Sequence, residues 1–162
     1  MHYSIRLLRK EDEPFLWEML AQAAHEPTTQ AVMEHPLIAR YVKGWGRGGD
    51  LGFIAIESSG DKPVGAAWLR LWTGDDKGFG YVDDATPELS VAVLPEHRGK
   101  GIGTQLLVRL LEAAKASHAS VSLNVRSDNP ALRLYERLGF VKVEESEVTN
   151  RRGGTSFTMK TR

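Results

Sequence analysis

Apolar positions along this chain recur with two periods, one typical of strands and one typical of helices. Period-two or short buried segments predict strands over 2–7, 51–58, 63–71, 89–94, 121–125, 140–148 and 155–160. Helical spacing predicts a helix opened by residues 9–14 and ended by Pro27, then 30–43 with a break near Pro36, 103–117 and 129–139. Strands and helices therefore share one α/β chain.

Two glycine-rich segments separate these elements. Residues 44–50 are predicted to be a flexible connector, and 73–87 a long loop rich in glycine and aspartate. Loops of that length in compact domains are often functional, so a lid is one interpretation and a solvated polar loop the other. Because a helix lies between the strands 89–94 and 121–125, these two are expected to run parallel.

Composition narrows the class of protein. The 162 residues carry 21 basic and 21 acidic side chains and are 41% hydrophobic, which favours one globular domain over 1–162. Zero net charge argues against a nucleic-acid partner. The chain has no cysteine, which excludes disulfides and thiol nucleophiles and favours a cytoplasmic location. No apolar run predicts a signal peptide or a membrane span.

A glycine-rich turn joins the strand 89–94 to the helix 103–117. Gly99, Gly101 and Gly103 lack the Cβ atoms that keep an anion away from backbone N–H groups at a helix start, so the turn is typical of a pyrophosphate site. A Walker loop is excluded because Gly101 follows Lys100, and the GxGxxG fingerprint fails at Thr104. A tight strand-to-helix turn without a ligand stays an alternative.

Two sequence blocks resemble one known family. Residues 98–103, Arg-Gly-Lys-Gly-Ile-Gly, match the (Arg or Gln)-x-x-Gly-x-(Gly or Ala) signature of the GCN5-related N-acetyltransferase (GNAT) superfamily. The second block, Asn129-Pro130-Ala131 followed by 134–140, resembles that family's other segment. The resemblance implies a mixed, mostly antiparallel sheet of six or seven strands, splayed between strands 4 and 5, with about four flanking helices and acetyl-CoA in the gap.

The resemblance also implies the donor-binding residues. The N–H of Val91 would lie near the thioester carbonyl, Val93 would pair with pantetheine amides, and Asn129 would contact the cofactor as well as cap its helix. The diphosphate would be held by backbone N–H groups of Arg98, Gly99, Lys100, Gly101, Ile102, Gly103 and Thr104. No residue is predicted to bind a metal, since the histidines lack ligand spacing.

Two further residues are predicted to be catalytic. By resemblance Tyr135 protonates the departing thiolate, and Glu88 is the base. An ammonium of pKa near 10.4 costs roughly 4.6 kcal/mol to deprotonate at pH 7, against roughly 2 kcal/mol for a thiolate of pKa about 8.5, so the base matters more. Strict alternation places Glu88 on the face opposite Val91, so a β-bulge would have to re-aim it. Asp83, Asp84 and water stay alternatives.

The resulting prediction is an acetyl-CoA-dependent N-acetyltransferase acting on a primary amine of a small molecule or peptide by direct attack in a ternary complex. A non-catalytic acyl-CoA binding or sensing domain is the alternative. Acidic residues before the fourth strand would attract a cationic amine. A substrate pocket and a homodimer, which the family often forms, are further expectations. The aromatic residues considered for that pocket are Trp45, Trp68, Trp72 and Tyr81.

Overall fold

A computed structural model describes residues 2–149 and 153–161. The strands are β1 (Tyr3–Leu7), β2 (Leu51–Glu57), β3 (Lys62–Arg70), β4 (Glu88–Val93), β5 (Ser122–Arg126), β6 (Phe140–Lys142), β7 (Val148–Thr149) and β8 (Thr155–Thr161). The helices are α1 (Glu13–Ala23), α2 (Thr29–Met33), α3 (Pro36–Ala39), α4 (Ile102–Ala114) and α5 (Leu132–Arg137). The strands form one mostly antiparallel sheet in the order β1-β2-β3-β4-β5-β8-β6, with β7 beside β8.

The chain divides into two compact units. The first comprises the chain up to Arg70 together with Ser90–Ala113. In it β1, β2 and β3 pair antiparallel, and β3 is buried over most of its length. The buried side of α4 carries Leu106, Leu107 and Leu110, as its helical spacing predicted. This side packs close to β3 because Gly65 has no side chain to keep Leu106 away.

A buried ion pair organises the connector between α3 and β2. Arg70 donates to both carboxylate oxygens of Asp50, at 3.0 and 2.7 Å, and both side chains are at most 2% exposed. Asp50 also accepts from the N–H groups of Gly46 and Arg47. Arg70 in turn donates to the carbonyls of Arg40 and Lys43. These bonds hold the connector at Gly46, Arg47 and Asp50, whereas the sequence predicted a flexible segment.

The second unit comprises Leu71–Leu89 and the chain from Ala114 onward. Glu88, the first residue of β4, pairs in parallel with Ser122 of β5, which confirms the predicted direction. Along its length β5 pairs antiparallel with β8. On its other side β8 carries β6 and β7.

Within the described residues the sheet has eight strands, more than the six or seven expected. The predicted strand 140–148 is interrupted between β6 and β7, because the Ser146 hydroxyl accepts the Thr158 N–H that a strand partner would bind. The predicted turn residues Asn150, Arg151 and Arg152 lie outside the described residues. Among those described, no helix has the length and apolarity needed to cross a bilayer.

Candidate active site

Two of the three glycines in the turn adopt a backbone conformation that favours glycine. Gly99 and Gly101 have φ values of +76° and +81°, where side chains other than glycine are strained. A Cβ at either position would meet no atom within 4 Å, so there is open space on that side of both residues. Gly103 lies inside α4, and a Cβ there would make an ordinary 3.8 Å contact with Val93. This agrees with a signature that allows alanine there.

The turn leads directly into the amino end of α4. The first helical hydrogen bond runs from Gln105 N to the Gly101 carbonyl, at 3.1 Å. In a helix the N–H groups before that bond have no carbonyl of the helix to bind, and here they belong to Ile102, Gly103 and Thr104. Together with the helix dipole, these donors suit an anion such as a diphosphate.

Two side chains at the start of this turn, His97 and Arg98, make hydrogen bonds to neighbouring elements. His97 is 7% exposed, and its Nδ1 lies 3.0 Å from the Tyr3 hydroxyl. Arg98 donates through Nε to the Val93 carbonyl and through Nη2 to Gln22 Oε1 of α1, each at 3.0 Å. The guanidinium thus ties the turn to β4 and α1. Lys100 is exposed.

The fourth strand supplies two of the predicted donor-binding residues. Val91 and Val93 are half-buried, and the Val93 carbonyl accepts from Arg98. Just beyond the strand, Leu94 N donates to the Val64 carbonyl of β3 at 2.8 Å. The strand is thus anchored to β3 near the point where the glycine turn begins.

The second block builds α5 and the approach to it. Asn129 Oδ1 accepts from the Ala131 N–H at 2.7 Å, which closes a local turn ahead of the helix. The helix begins at Leu132 with Ala131 at its N-cap position and no side-chain capping bond, so the predicted capping of α5 by Asn129 is wrong. Tyr135 is 6% exposed and packs edge-on against Phe140, with 5.9 Å between ring centroids. Burial raises the pKa of Tyr135 to about 12. Its phenol is therefore protonated at neutral pH.

Glu88 is buried beneath the loop that precedes it. Glu88 is only 3% exposed. Its Oε1 accepts from Trp72 Nε1 at 2.9 Å and from Gly80 N at 3.0 Å. Neither donor was foreseen from the sequence, because each lies in the irregular loop. The glycines on either side of Phe79 were the available signal.

Three of the four aromatic residues predicted to line a substrate pocket are buried in the core. Trp45, Trp68 and Trp72 are all at most 3% exposed, so they do not line an open pocket. Trp68 Nε1 donates to the Tyr41 carbonyl, and Arg70 lies 5.5 Å from the ring centroid of Trp45. Only Tyr81 is partly exposed. Its hydroxyl donates to Asp84, and that hydrogen bond raises the pKa of Tyr81.

Comparison with known proteins bears on this site. L-amino acid N-acyltransferase MnaT of Escherichia coli is 46% identical over 91 residues, which cover 54% of this chain and 49% of the relative. L-methionine sulfoximine/L-methionine sulfone acetyltransferase of Salmonella typhimurium is 43% identical over 94 residues, covering 56% of this chain and 52% of the relative. The chain thus spans about half the length of these curated relatives.

A solved structure shares the fold over the whole chain. It is that of yncA from Salmonella typhimurium with its cofactor acetyl-CoA, with a TM-score of 0.69 and 23% identity over 100% of this chain and 94% of that one. The family model described as the Acetyltransferase (GNAT) family matches residues 15–140, which include the glycine turn and α5. The chain therefore belongs to the GNAT acetyltransferase family.

Proposed function

We propose that this protein is an acetyl-CoA-dependent N-acetyltransferase that acts on a primary amine of a small molecule or peptide. The observation that carries the proposal is the turn at Gly99 and Gly101, with positive φ at both, open space beside them and the amino end of α4 directly after. Within a GNAT chain, this arrangement fits the diphosphate of acetyl-CoA.

The donor would be held mainly by backbone groups. The N–H groups from Gly99 to Thr104 would bind the diphosphate, because the Arg98 N–H already donates to the Pro95 carbonyl. Each such bond to a charged acceptor contributes about 1.5–3 kcal/mol. Val93 would pair with the pantetheine arm, and the Val91 N–H would donate to the thioester carbonyl oxygen as negative charge develops there. Asn129 would add a side-chain contact through its amide nitrogen, Nδ2, because its Oδ1 already accepts from the Ala131 N–H.

Transfer by direct attack forms the amide C–N bond and breaks the thioester C–S bond. The amine must lose a proton, and we propose Glu88 as its acceptor, acting directly or through water. The electron pair of the C–S bond leaves on sulfur. Tyr135, as a phenol of pKa about 12, is more than three units weaker as an acid than a thiol of pKa about 8.5. Complete proton transfer would be uphill by about 5 kcal/mol, so Tyr135 acts by donating a hydrogen bond to the thiolate.

Replacing Tyr135 by phenylalanine is expected to lower kcat by roughly 10- to 100-fold and leave KM unchanged, because only the hydroxyl donor is lost. Since burial raises the pKa of this phenol to about 12, it stays protonated below that pH, and its ionisation should cause no loss of kcat between pH 7 and 10. Steady-state rates across that range test both statements. Wild-type activity in the variant, or a fall near pH 9 that the variant lacks, would contradict the assignment.

A panel of amines tests the function itself. Thiol release from acetyl-CoA would be followed with L-methionine sulfone, common L-amino acids, a polyamine and a peptide with a free amino terminus. The first two groups are suggested by the names of the two relatives, and the polyamine is suggested by the acidic loop before β4. An amine that accelerates release supports an enzyme. Donor binding with no acceleration by any amine supports the sensing domain instead.

A further inference from the structure

The segment 71–87 between β3 and β4 is irregular apart from one bridge between Thr73 and Asp76. Near its middle, however, the backbone of Gly80 makes two buried hydrogen bonds. The Gly80 N–H donates to Glu88 Oε1 at 3.0 Å, and the Gly80 carbonyl accepts from the Ser122 hydroxyl at 2.7 Å. Both bonds are buried. The backbone of this loop is therefore bound on both its donor and its acceptor side at one residue.

The loop fits around the Glu88 carboxylate so closely that only glycine is accommodated on either side of Phe79. A Cβ on Gly78 would collide with Glu88 Oε1 and stand 2.6 Å from the Trp72 ring. A Cβ on Gly80 would lie 2.9 Å from the Glu88 carboxyl group and from the backbone of Leu123. These distances are shorter than side chains tolerate. The loop therefore packs directly around the Glu88 carboxylate and is hydrogen-bonded to it.

The outer side of the same loop carries groups suited to an amine. Phe79, between the two glycines, is 48% exposed although its backbone is fixed. The loop holds four aspartates, Asp75, Asp76, Asp83 and Asp84, and a single lysine, so it is locally acidic. Thr86 donates to Asp83, which lowers the pKa of that carboxyl and keeps it ionised. A cation is attracted to such a surface.

We propose that Glu88 is a positioning residue for the acceptor: its carboxylate, with Trp72, holds the Gly78–Gly80 backbone so that the acidic 71–87 loop presents Phe79 and its aspartates to a cationic amine. This rests on the proposed function. It adds a second role for Glu88, distinct from accepting the amine proton. The two roles use different properties of the side chain, since any oxygen acceptor holds the loop but only a carboxylate takes up a proton.

Four variants separate the roles. Glu88→Gln retains an oxygen that accepts from Trp72 and Gly80 and removes the base, whereas Glu88→Ala removes both. Trp72→Phe removes one donor to the carboxylate and leaves the base in place. Tyr81→Phe is the matched control, because its hydroxyl belongs to the same loop but donates to Asp84.

The first readout is hydrogen exchange of the Gly80 amide in the ligand-free protein, which needs no turnover. Loss of one hydrogen bond to a charged acceptor should speed exchange at Gly80 by about tenfold or more in Glu88→Ala, and Trp72→Phe should speed it by a smaller factor. Glu88→Gln and Tyr81→Phe should stay within about threefold of the wild type. If Glu88→Ala fails to fold, Trp72→Phe carries the test.

The second readout is the split between KM and kcat. Trp72→Phe should raise KM for the amine by about fivefold with little change in kcat or in acetyl-CoA affinity, while Glu88→Gln should lower kcat with KM retained. Unchanged Gly80 exchange in both Glu88→Ala and Trp72→Phe would overturn the proposal, as would unchanged amine KM. Faster exchange in a protein that acetylates no amine would refute the proposed enzyme while leaving the loop contact intact.

Discussion

Replacing Gly101 by alanine is expected to weaken acetyl-CoA binding by roughly 10- to 100-fold. A Cβ at this position meets no neighbouring atom, so the effect comes from the backbone: φ of +81° is costly for alanine by about 1–3 kcal/mol. If φ moves to relieve that strain, the N–H groups at the start of α4 turn away from the diphosphate. The dissociation constant measured by titration calorimetry gives the result.

Gly44→Ala provides the matched control for this prediction. Gly44 also has a positive φ, +72°, and a Cβ there also meets nothing within 4 Å, but the residue lies in the connector before β2. Both variants carry the same kind of backbone strain, so their melting temperatures should fall by similar amounts. Equal donor affinity in the two variants would mean that the turn does not bind the diphosphate.

Replacing Asp50 by alanine is expected to destabilise the fold by about 3–5 kcal/mol, because it leaves the Arg70 guanidinium buried without its carboxylate. Arg70 would keep the carbonyls of Arg40 and Lys43, but carbonyl oxygens do not neutralise its charge. The N–H groups of Gly46 and Arg47 would lose their acceptor as well. Chemical denaturation, with the free energy of unfolding extrapolated to water, measures the loss.

Asp128→Ala supplies the comparison for the buried pair. Asp128 also pairs with an arginine, Arg126, at 3.5 Å, but its side chain is 73% exposed. Surface ion pairs contribute at most about 1 kcal/mol, so this variant should unfold close to the wild type. A loss for Asp50→Ala no larger than that for Asp128→Ala would show that the Asp50–Arg70 pair does not hold the connector in solution.

Local patterns in the sequence predicted most of the elements, because their causes are local. The leucines of α4 recur at helical spacing, and Asn129 and Gly139 mark the ends of the segment that contains α5. The parallel pairing of β4 with β5 followed from the helix between them. The position of the glycine turn was predicted for the same reason. The positive φ values of Gly99 and Gly101 were not predicted, because glycine allows such a φ without requiring it and Gly103 lies inside α4.

Contacts between distant residues could not be predicted in this way. The contact between Asp50 and Arg70 forms only in the folded chain, as does the contact between Tyr3 and His97. No periodicity in the sequence relates the positions of either pair. The break between β6 and β7 depends on one hydroxyl, Ser146, that competes with backbone pairing to β8. The sequence predicted a role for the Glu88 carboxylate as a base. It did not predict the two hydrogen-bond donors to that carboxylate, because they come from a loop whose path the sequence does not specify.

Titration of the wild-type protein with acetyl-CoA by calorimetry tests the central claim most directly, with coenzyme A and ATP as competitors. Saturable binding at one site per chain is expected, displaced by coenzyme A much more effectively than by ATP, since pantetheine pairing with β4 adds to the diphosphate contacts. Absence of any saturable heat up to millimolar acetyl-CoA, or equal displacement by ATP, would contradict the assignment of this turn to a thioester donor.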